Sequence, residues 1–127
     1  MIKEAYCSFE VSKLLKEKGF NEPCRSYFID KVDYVDFSYS VEELTDLYMD
    51  VWEILRPTHQ MALAWLREEH HIFIEIGTSV DLNGNYHFCY TILDNKCKYL
   101  TRGYTDFNFN YEDAVEAALE YSLKNLI

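Results

Sequence analysis

The hydrophobic pattern of residues 72–102 places the strongest constraint on what this chain can fold into. Isoleucines occupy every second position of residues 72–76, which is the period of a strand with one packed face. Residues 86–93 and 96–102 are rich in aromatic and β-branched side chains and predict two more strands. Because the three segments follow one another closely, we expect them to form an antiparallel meander.

The turns of this meander depend on which side chains must share its packed face. A two-residue turn at positions 94–95 would place Tyr90 opposite Tyr99. The isoleucines then have to lie on the same face as Tyr90, which requires an odd number of residues in the preceding loop. We therefore expect either a three-residue loop at positions 83–85 or a bulge near Gly77.

Three other segments have the apolar period and the end signals of α-helices. Each follows a residue whose side chain can accept hydrogen bonds from the first turn of a helix, and these residues are Ser8, Thr58 and Asn110. Gly19 follows the first of these segments and predicts its end, with Phe20 folding back onto Leu15.

A fourth helix is predicted in the middle of the chain. Ser40 and Glu43 form a capping-box pair, and an apolar stripe with helical spacing then runs from Leu44 to Leu55. Pro57 is expected to end this helix. Residues 27–39 alternate only loosely and predict one short strand or an irregular edge.

Together these elements predict an α+β fold in a single globular domain over residues 1–127. A chain of this length fits one domain with a sizeable core. We expect a three-stranded or four-stranded antiparallel meander sheet with helices packed on one of its faces.

The net charge of the chain is −10, and most of the excess lies in one segment. Residues 30–53 contain eight acidic residues and one lysine, a local sum of −7. A field of this sign repels phosphate backbones and attracts basic partners, so direct nucleic-acid binding is not expected. The candidate contact surface for a protein partner is one face of the predicted middle helix, formed by Glu42, Asp46, Asp50 and Glu53. The alternative interpretation is an ordinary solvated helix face.

The four cysteines and the start of the chain indicate a reducing compartment. Cys7, Cys24, Cys89 and Cys97 contain no C-x-x-C pair, which predicts reduced, mostly buried thiols. The first 13 residues do not resemble a signal peptide, and no stretch approaches the ~20 apolar residues of a membrane span. We therefore expect a cytoplasmic protein that makes no membrane contact.

The sequence Glu68-Glu69-His70-His71 is the most suggestive motif for a metal or an acid/base site. Adjacent residues project in different directions, however, and these four span the predicted end of a helix and the start of a strand. We expect them to mark that boundary, and we predict no metal, cofactor or catalytic residue. An enzyme would be favoured by a pocket lined by His71, Glu75, His87 and Arg102.

Aromatic residues are frequent from Tyr99 to Tyr111. They predict core packing together with an aromatic loop, and an exposed patch at Phe107 and Phe109 would mark a protein interface. A stacking surface for single-stranded nucleic acid is the alternative, but Arg102 is the only basic residue within this stretch.

Three blocks of the sequence resemble a group of small uncharacterised proteins encoded by phages and prophages, notably those of gut Bacteroidetes. The blocks are residues 9–24, 57–76 and 111–127, which read FEVSKLLKEKGFNEPC, PTHQMALAWLREEHHIFIEI and YEDAVEAALEYSLKNLI. They cover less than half of the chain. The resemblance implies a phage or prophage origin, and it implies no activity and no functional residue.

The sequence as a whole predicts a non-catalytic accessory protein of a phage or prophage that acts by protein binding. A basic host protein is the expected partner, and the acidic segment would imitate the charge of DNA in occupying it. The alternatives are a homodimeric structural protein of a mobile element and, third, a small hydrolase or metal-dependent enzyme.

Overall fold

The computed structural model describes residues 2–36, 54–104 and 110–127, and within these ranges the chain forms three helices and six strands. The helices are α1 (Phe9–Glu17), α2 (His59–His70) and α3 (Tyr111–Asn125). The strands are β1 (Ser26–Phe28), β2 (Tyr34–Asp36), β3 (Ile54–Leu55), β4 (Phe73–Val80), β5 (Tyr86–Leu93) and β6 (Tyr99–Tyr104). The predicted α+β fold is confirmed.

The predicted meander is the larger of two antiparallel sheets and has the order β4, β5, β6. Ile74 pairs with Ile92 and Ile76 pairs with Tyr90, so these side chains share one face as the alternation required. Helix α3 packs against β4 and β5, and α2 packs against β4. The core between the helices and this face contains fully buried leucines of all three helices, namely Leu15, Leu66, Leu119 and Leu123.

A second small sheet, in the order β2, β1, β3, lies outside the meander. Residues 27–39 were predicted to form one short strand or an irregular edge, but their described part, residues 27–36, contributes to two strands of this separate sheet. Leu55 was expected in a helix and lies instead in β3, paired with Tyr27. Pro57 disfavours the helical conformation at Arg56, so pairing with β1 is what satisfies the backbone of the residues just before it.

Arg56 joins this second sheet to the start of the chain. Its guanidinium carbon lies 3.9 Å from the ring centroid of Tyr6 and 3.5 Å from that of Tyr34. Its Nη1 also donates a hydrogen bond of 3.1 Å to Ser26 Oγ. The side chain therefore packs between two aromatic rings while its charge retains a polar partner.

The helix ends follow the predicted capping chemistry. Ser8, Thr58 and Asn110 each accept a hydrogen bond from the backbone amide three residues later, at 3.2, 3.1 and 2.8 Å. Gly19 has a φ of 95°, and the amide of Phe20 donates to the carbonyl of Leu15 at 2.9 Å. These three N-caps and the glycine stop are confirmed.

The two hairpins of the meander use the same loop. The amides of Asp81 and Asp94 donate to the carbonyls of Asn85 and Lys98, both at 2.9 Å. Each aspartate side chain accepts hydrogen bonds from the amides two and four residues later. The first loop thus encloses three residues, 82–84, which confirms the predicted odd length. It begins one residue earlier than the predicted loop at positions 83–85.

The predicted two-residue turn at positions 94–95 is wrong. Leu93 pairs with Tyr99, and the register shifts between Leu93 and Ile92. Tyr90 therefore pairs with Gly103 and not with Tyr99. The carboxylate of Asp94 binds the amides of Lys96 and Lys98 at 2.8 and 3.0 Å, and this closes a wider loop than the sequence pattern indicated.

Three of the four cysteines are buried and Cys97 is exposed. Within the described ranges, none of the helices is both long enough and apolar enough to cross a membrane.

The shared loop predicts opposite effects for two substitutions. Cys97 has a φ of 59° in the second loop, at the position that Gly84 occupies with a φ of 82° in the first. Cys97→Gly should therefore raise the free energy of unfolding by up to about 1 kcal/mol, because the left-handed conformation is unfavourable for residues with a Cβ. Gly84→Ala should lower it by about 1 kcal/mol, although a Cβ there meets no atom within 4 Å. Urea denaturation of both variants checks this, and a destabilising Cys97→Gly would contradict it.

Candidate functional site

The predicted contact surface lies outside the described part of the chain. Glu42, Asp46, Asp50 and Glu53 all fall in the gap between residues 36 and 54, and Phe107 and Phe109 fall in the gap between residues 104 and 110. The structure therefore neither places nor tests them.

The Glu68-Glu69-His70-His71 motif forms the predicted boundary between a helix and a strand. Glu68 and Glu69 are exposed in the last turn of α2, and the ring of His70 packs 4.7 Å from the ring of Trp65. His71 ends the helix in the left-handed conformation, with a φ of 55°. These side chains diverge, so they do not form a common site.

The four residues of the hypothetical enzyme pocket do not converge either. Glu75 and Arg102 flank Thr91 on neighbouring strands. His87 lies four residues before Thr91 in β5, which places it about 13 Å from Thr91 at the rise of a strand. His71 precedes β4.

The structure instead assembles a cluster that sequence reasoning missed: Cys7, His59 and Glu116. Each offers one donor atom, and the three atoms lie within 4.8 Å of one another. Cys7 lies just before α1, His59 is the first residue of α2, and Glu116 is in the second turn of α3. Cys7 is 2% exposed and His59 is 6% exposed. We call this set the Cys-His-Glu cluster.

Backbone pairing fixes two of its members. Tyr6 and Thr58 form an isolated antiparallel bridge. On either side of it, the amide of Cys7 donates to the carbonyl of Pro57 and the amide of His59 donates to that of Ala5, both at 2.9 Å. Cys7 and His59 are therefore diagonal neighbours on one face of this two-stranded segment.

Hydrogen bonds fix the third member, Glu116. Its Oε1 lies 2.8 Å from His59 Nε2 and accepts a bond of 2.9 Å from the amide of Ser8. Its Oε2 accepts a bond of 2.7 Å from Ser8 Oγ. Since Ser8 is also the N-cap of α1, one carboxylate connects the N-terminal ends of two helices to a third.

The electrostatics of the cluster favour a charged carboxylate and a neutral thiol. Burial acts to raise the pKa of Glu116, but the hydrogen bonds from His59 and Ser8 outweigh it and hold that pKa below its usual value. Burial, reinforced by the negative charge of Glu116, strongly raises the pKa of the Cys7 thiol. A nucleophilic cysteine requires the opposite shift and access to a substrate, so the arrangement does not favour nucleophilic catalysis.

No local pattern in the sequence could have indicated this cluster. His59 has a leucine, Leu63, at the helical spacing where a second ligand would be expected. Its real neighbours are 52 and 57 residues away along the chain, and the Tyr6–Thr58 bridge and the packing of α3 bring them together.

A second feature is a groove on the surface of α2, with a volume of about 250 Å³. Its apolar side is formed by Met61, Ala64 and Trp65, and its acidic rim by Glu22, Glu68 and Glu69. Trp65 is only 8% exposed and meets the ring of Phe20 edge-on at 5.5 Å, so this wall is firmly packed. None of the six lining residues is basic. We call this feature the acidic groove.

Comparison of the chain with protein-family models, with curated proteins and with solved structures finds no match.

The Glu116 carboxylate should make a pH-dependent contribution to stability. Glu116→Gln retains the size of the side chain but places a donor where Ser8 or His59 requires an acceptor, so we expect a loss of about 1–3 kcal/mol at neutral pH. Because folding lowers the pKa of Glu116, its stabilisation is complete above the ordinary value of 4.5 and is lost as the pH falls through the folded pKa. The difference in unfolding free energy between the wild type and the variant should therefore shrink below about pH 4.5.

Glu120→Gln is the matched control, one turn further along α3. Glu120 makes an ion pair with Lys124 in which both side chains are about half exposed, so its substitution should cost less than about 0.5 kcal/mol. Equal losses in the two variants, measured by urea denaturation between pH 3 and pH 8, would contradict the role given to Glu116.

Proposed function

We propose that this protein acts by binding, and that its partner is a protein segment that combines basic side chains with an apolar anchor. The acidic groove supports this proposal best, because it joins an apolar wall to three carboxylates and has no basic residue in its lining. We further propose, on the sequence resemblance, that the binding serves an accessory role for a phage or prophage.

The apolar wall and the acidic rim of the groove would contribute to binding in different ways. Met61 and Ala64 are partly exposed and border Trp65, so an apolar anchor laid across them would remove carbon surface from water. Burial of this kind supplies about 25 cal/mol per Å² and is the main source of affinity. The glutamates are exposed, so they contribute mainly to orientation, partner choice and the rate of association.

Charge selects the kind of partner. Glu68 has a neighbouring cation, since its Oε1 lies 3.1 Å from Arg67 Nε, and the two side chains are 71% and 47% exposed. An exposed pair of this kind is worth little, so a partner arginine or lysine can replace Arg67 at low cost. The net charge of −10 reinforces this preference and opposes a nucleic-acid partner.

The acidic face first proposed from the sequence would act in the same direction. Glu42, Asp46, Asp50 and Glu53 add to the negative field that attracts a basic protein. We retain this face as a second contact surface within the proposal, and the groove is the part for which the structure gives geometry.

Self-association is the second candidate, and one observation favours it. Val80, Leu82 and Tyr86 are strongly exposed around the β4–β5 hairpin loop, with 65, 106 and 67% of their surface accessible. An apolar hairpin tip of this kind is typical of a contact surface between proteins. The proposed homodimer would bury it against a second copy.

Charge reversal in the groove tests the first candidate. The probe is a synthetic peptide of alternating arginines and leucines, with a glutamate-for-arginine peptide as the reference. Emission from Trp65, isolated by Trp52→Phe, reports binding. Glu68→Lys combined with Glu69→Lys should weaken peptide binding at least about tenfold, which corresponds to ~1.4 kcal/mol. Raising the salt concentration should weaken binding to the wild type.

Glu10→Lys combined with Glu17→Lys is the matched control, because it makes the same change in net charge on the exposed side of α1. It should leave the peptide affinity within about twofold, since neither residue lines the groove and exposed charges outside it are screened. Equal weakening by both double variants would assign binding to net charge alone and would remove the groove from the proposal. Light scattering of the wild type at high concentration tests the homodimer, and a strict monomer excludes it.

A further inference from the structure

The geometry points to a binding site for a zinc-like divalent cation at the Cys-His-Glu cluster, with Cys7, His59 and Glu116 as its three protein ligands. This site is independent of the acidic groove. Its donors are a thiol sulfur, an imidazole nitrogen and a carboxylate oxygen within 4.8 Å of one another, and among the described residues no other group of three such side chains meets the same criterion.

The distance between His59 and Glu116 fits a tetrahedral ion after a small adjustment. Bonds of about 2.0–2.3 Å from zinc place neighbouring donors roughly 3.3–3.7 Å apart. His59 Nε2 and Glu116 Oε1 are now 2.8 Å apart, which is the length of a hydrogen bond with a shared proton. Replacing that proton with an ion requires the two atoms to separate by about half an ångström.

The ligands are already held in position. Cys7 and His59 are aligned by the two backbone hydrogen bonds beside the Tyr6–Thr58 bridge. Ser8 orients the Glu116 carboxylate through its amide and its hydroxyl, as outer-shell partners of metal ligands do. The carbonyl oxygen of Thr58 lies 3.9 Å from Cys7 Sγ and already accepts a hydrogen bond of 3.1 Å from the amide of Ala62, so the three side chains are the ligands of the site.

The donor set identifies the class of cation. Mg²⁺ and Ca²⁺ require oxygen ligands, whereas a thiolate with an imidazole selects zinc and related transition metals. Three protein ligands on three separate segments would also cross-link the starts of α1 and α2 to α3. Binding of the ion would therefore stabilise the fold.

Protons must leave when the ion binds. The Cys7 thiol has to lose its proton to form the Cys7–metal bond, and His59 has to present an unprotonated ring nitrogen. The thiol proton passes to the solvent, a neutral His59 ring frees Nε2 by moving its proton to Nδ1, and the carboxylate of Glu116 needs none removed. Because the thiol and the imidazole bind the ion only in their deprotonated forms, the affinity for the cation should rise with pH.

Zinc binding by the full chain tests the site. The protein is dialysed against a chelator, and zinc is then titrated in competition with a chromophoric chelator, in a Cys97→Ser background that removes the exposed thiol. We expect one equivalent of zinc to bind and the midpoint of thermal unfolding to rise with zinc concentration. Cobalt should give an intense thiolate-to-metal absorption band together with the visible bands of a tetrahedral ion.

Substitutions of single residues identify which side chains bind the zinc ion. Cys7→Ser, His59→Gln and Glu116→Gln should each weaken zinc binding by more than about 100-fold, and Ser8→Ala, which removes an outer-shell contact, by about tenfold. Cys89→Ser is the control, because Cys89 is buried in β5 away from the cluster, and it should leave the affinity unchanged.

Three outcomes would overturn the inference. They are no zinc binding by the wild type, zinc binding that survives Cys7→Ser unchanged, and a cobalt complex without the thiolate band. The last of these requires no variant of the cluster, so the test remains decisive even where a substitution prevents folding.

Discussion

The carboxylate of Glu116 is the interaction on which the arrangement of the three helices depends. It is charged and only 24% exposed, and leaving water is costly for such a group unless hydrogen bonds compensate. Ser8 and His59 provide three of them, from the N-cap of α1 and the first residue of α2. Apolar packing alone would allow these helix ends to slide over α3, because dispersion contacts have little direction. The three short polar contacts give the helix starts one defined position.

Local chemistry explains why much of the fold could be predicted from the sequence. Ser8, Thr58 and Asn110 act through amides three residues away, and Gly19 acts through its own backbone. The face shared by β4 and β5 follows from strict alternation, which any register must respect. None of these predictions required knowledge of which distant segments meet.

The parts that were missed depend on contacts between distant segments or on competition between two local solutions. Leu55 ends a pattern of helical spacing, but pairing with β1 and the restriction imposed by Pro57 favour a strand at residues 54–55. At the second hairpin, Asp94-Asn95 is suitable for a two-residue turn, yet the hydrogen bonds of the Asp94 side chain select the wider loop. For the Cys-His-Glu cluster there was no local signal, because its members are brought together by the bridge between distant residues Tyr6 and Thr58 and by the packing of α3 on α1 and α2.

The cluster and the acidic groove are connected through α2, and this connection bears on how the groove works. His59, the first residue of the helix, is held by Glu116 and by the backbone of Ala5. At the other end, His71 closes the helix in a left-handed conformation, and the amide of Ile72 returns to the carbonyl of Leu66. A helix fixed at both ends presents Met61, Ala64 and Trp65 in one arrangement before any partner arrives. Under the proposed function, a partner would lose little free energy in ordering the surface it meets, which would favour selective binding even by a groove of modest size. The buried polar contacts at the start of α2 and the left-handed residue at its end thus hold the helix that carries the groove.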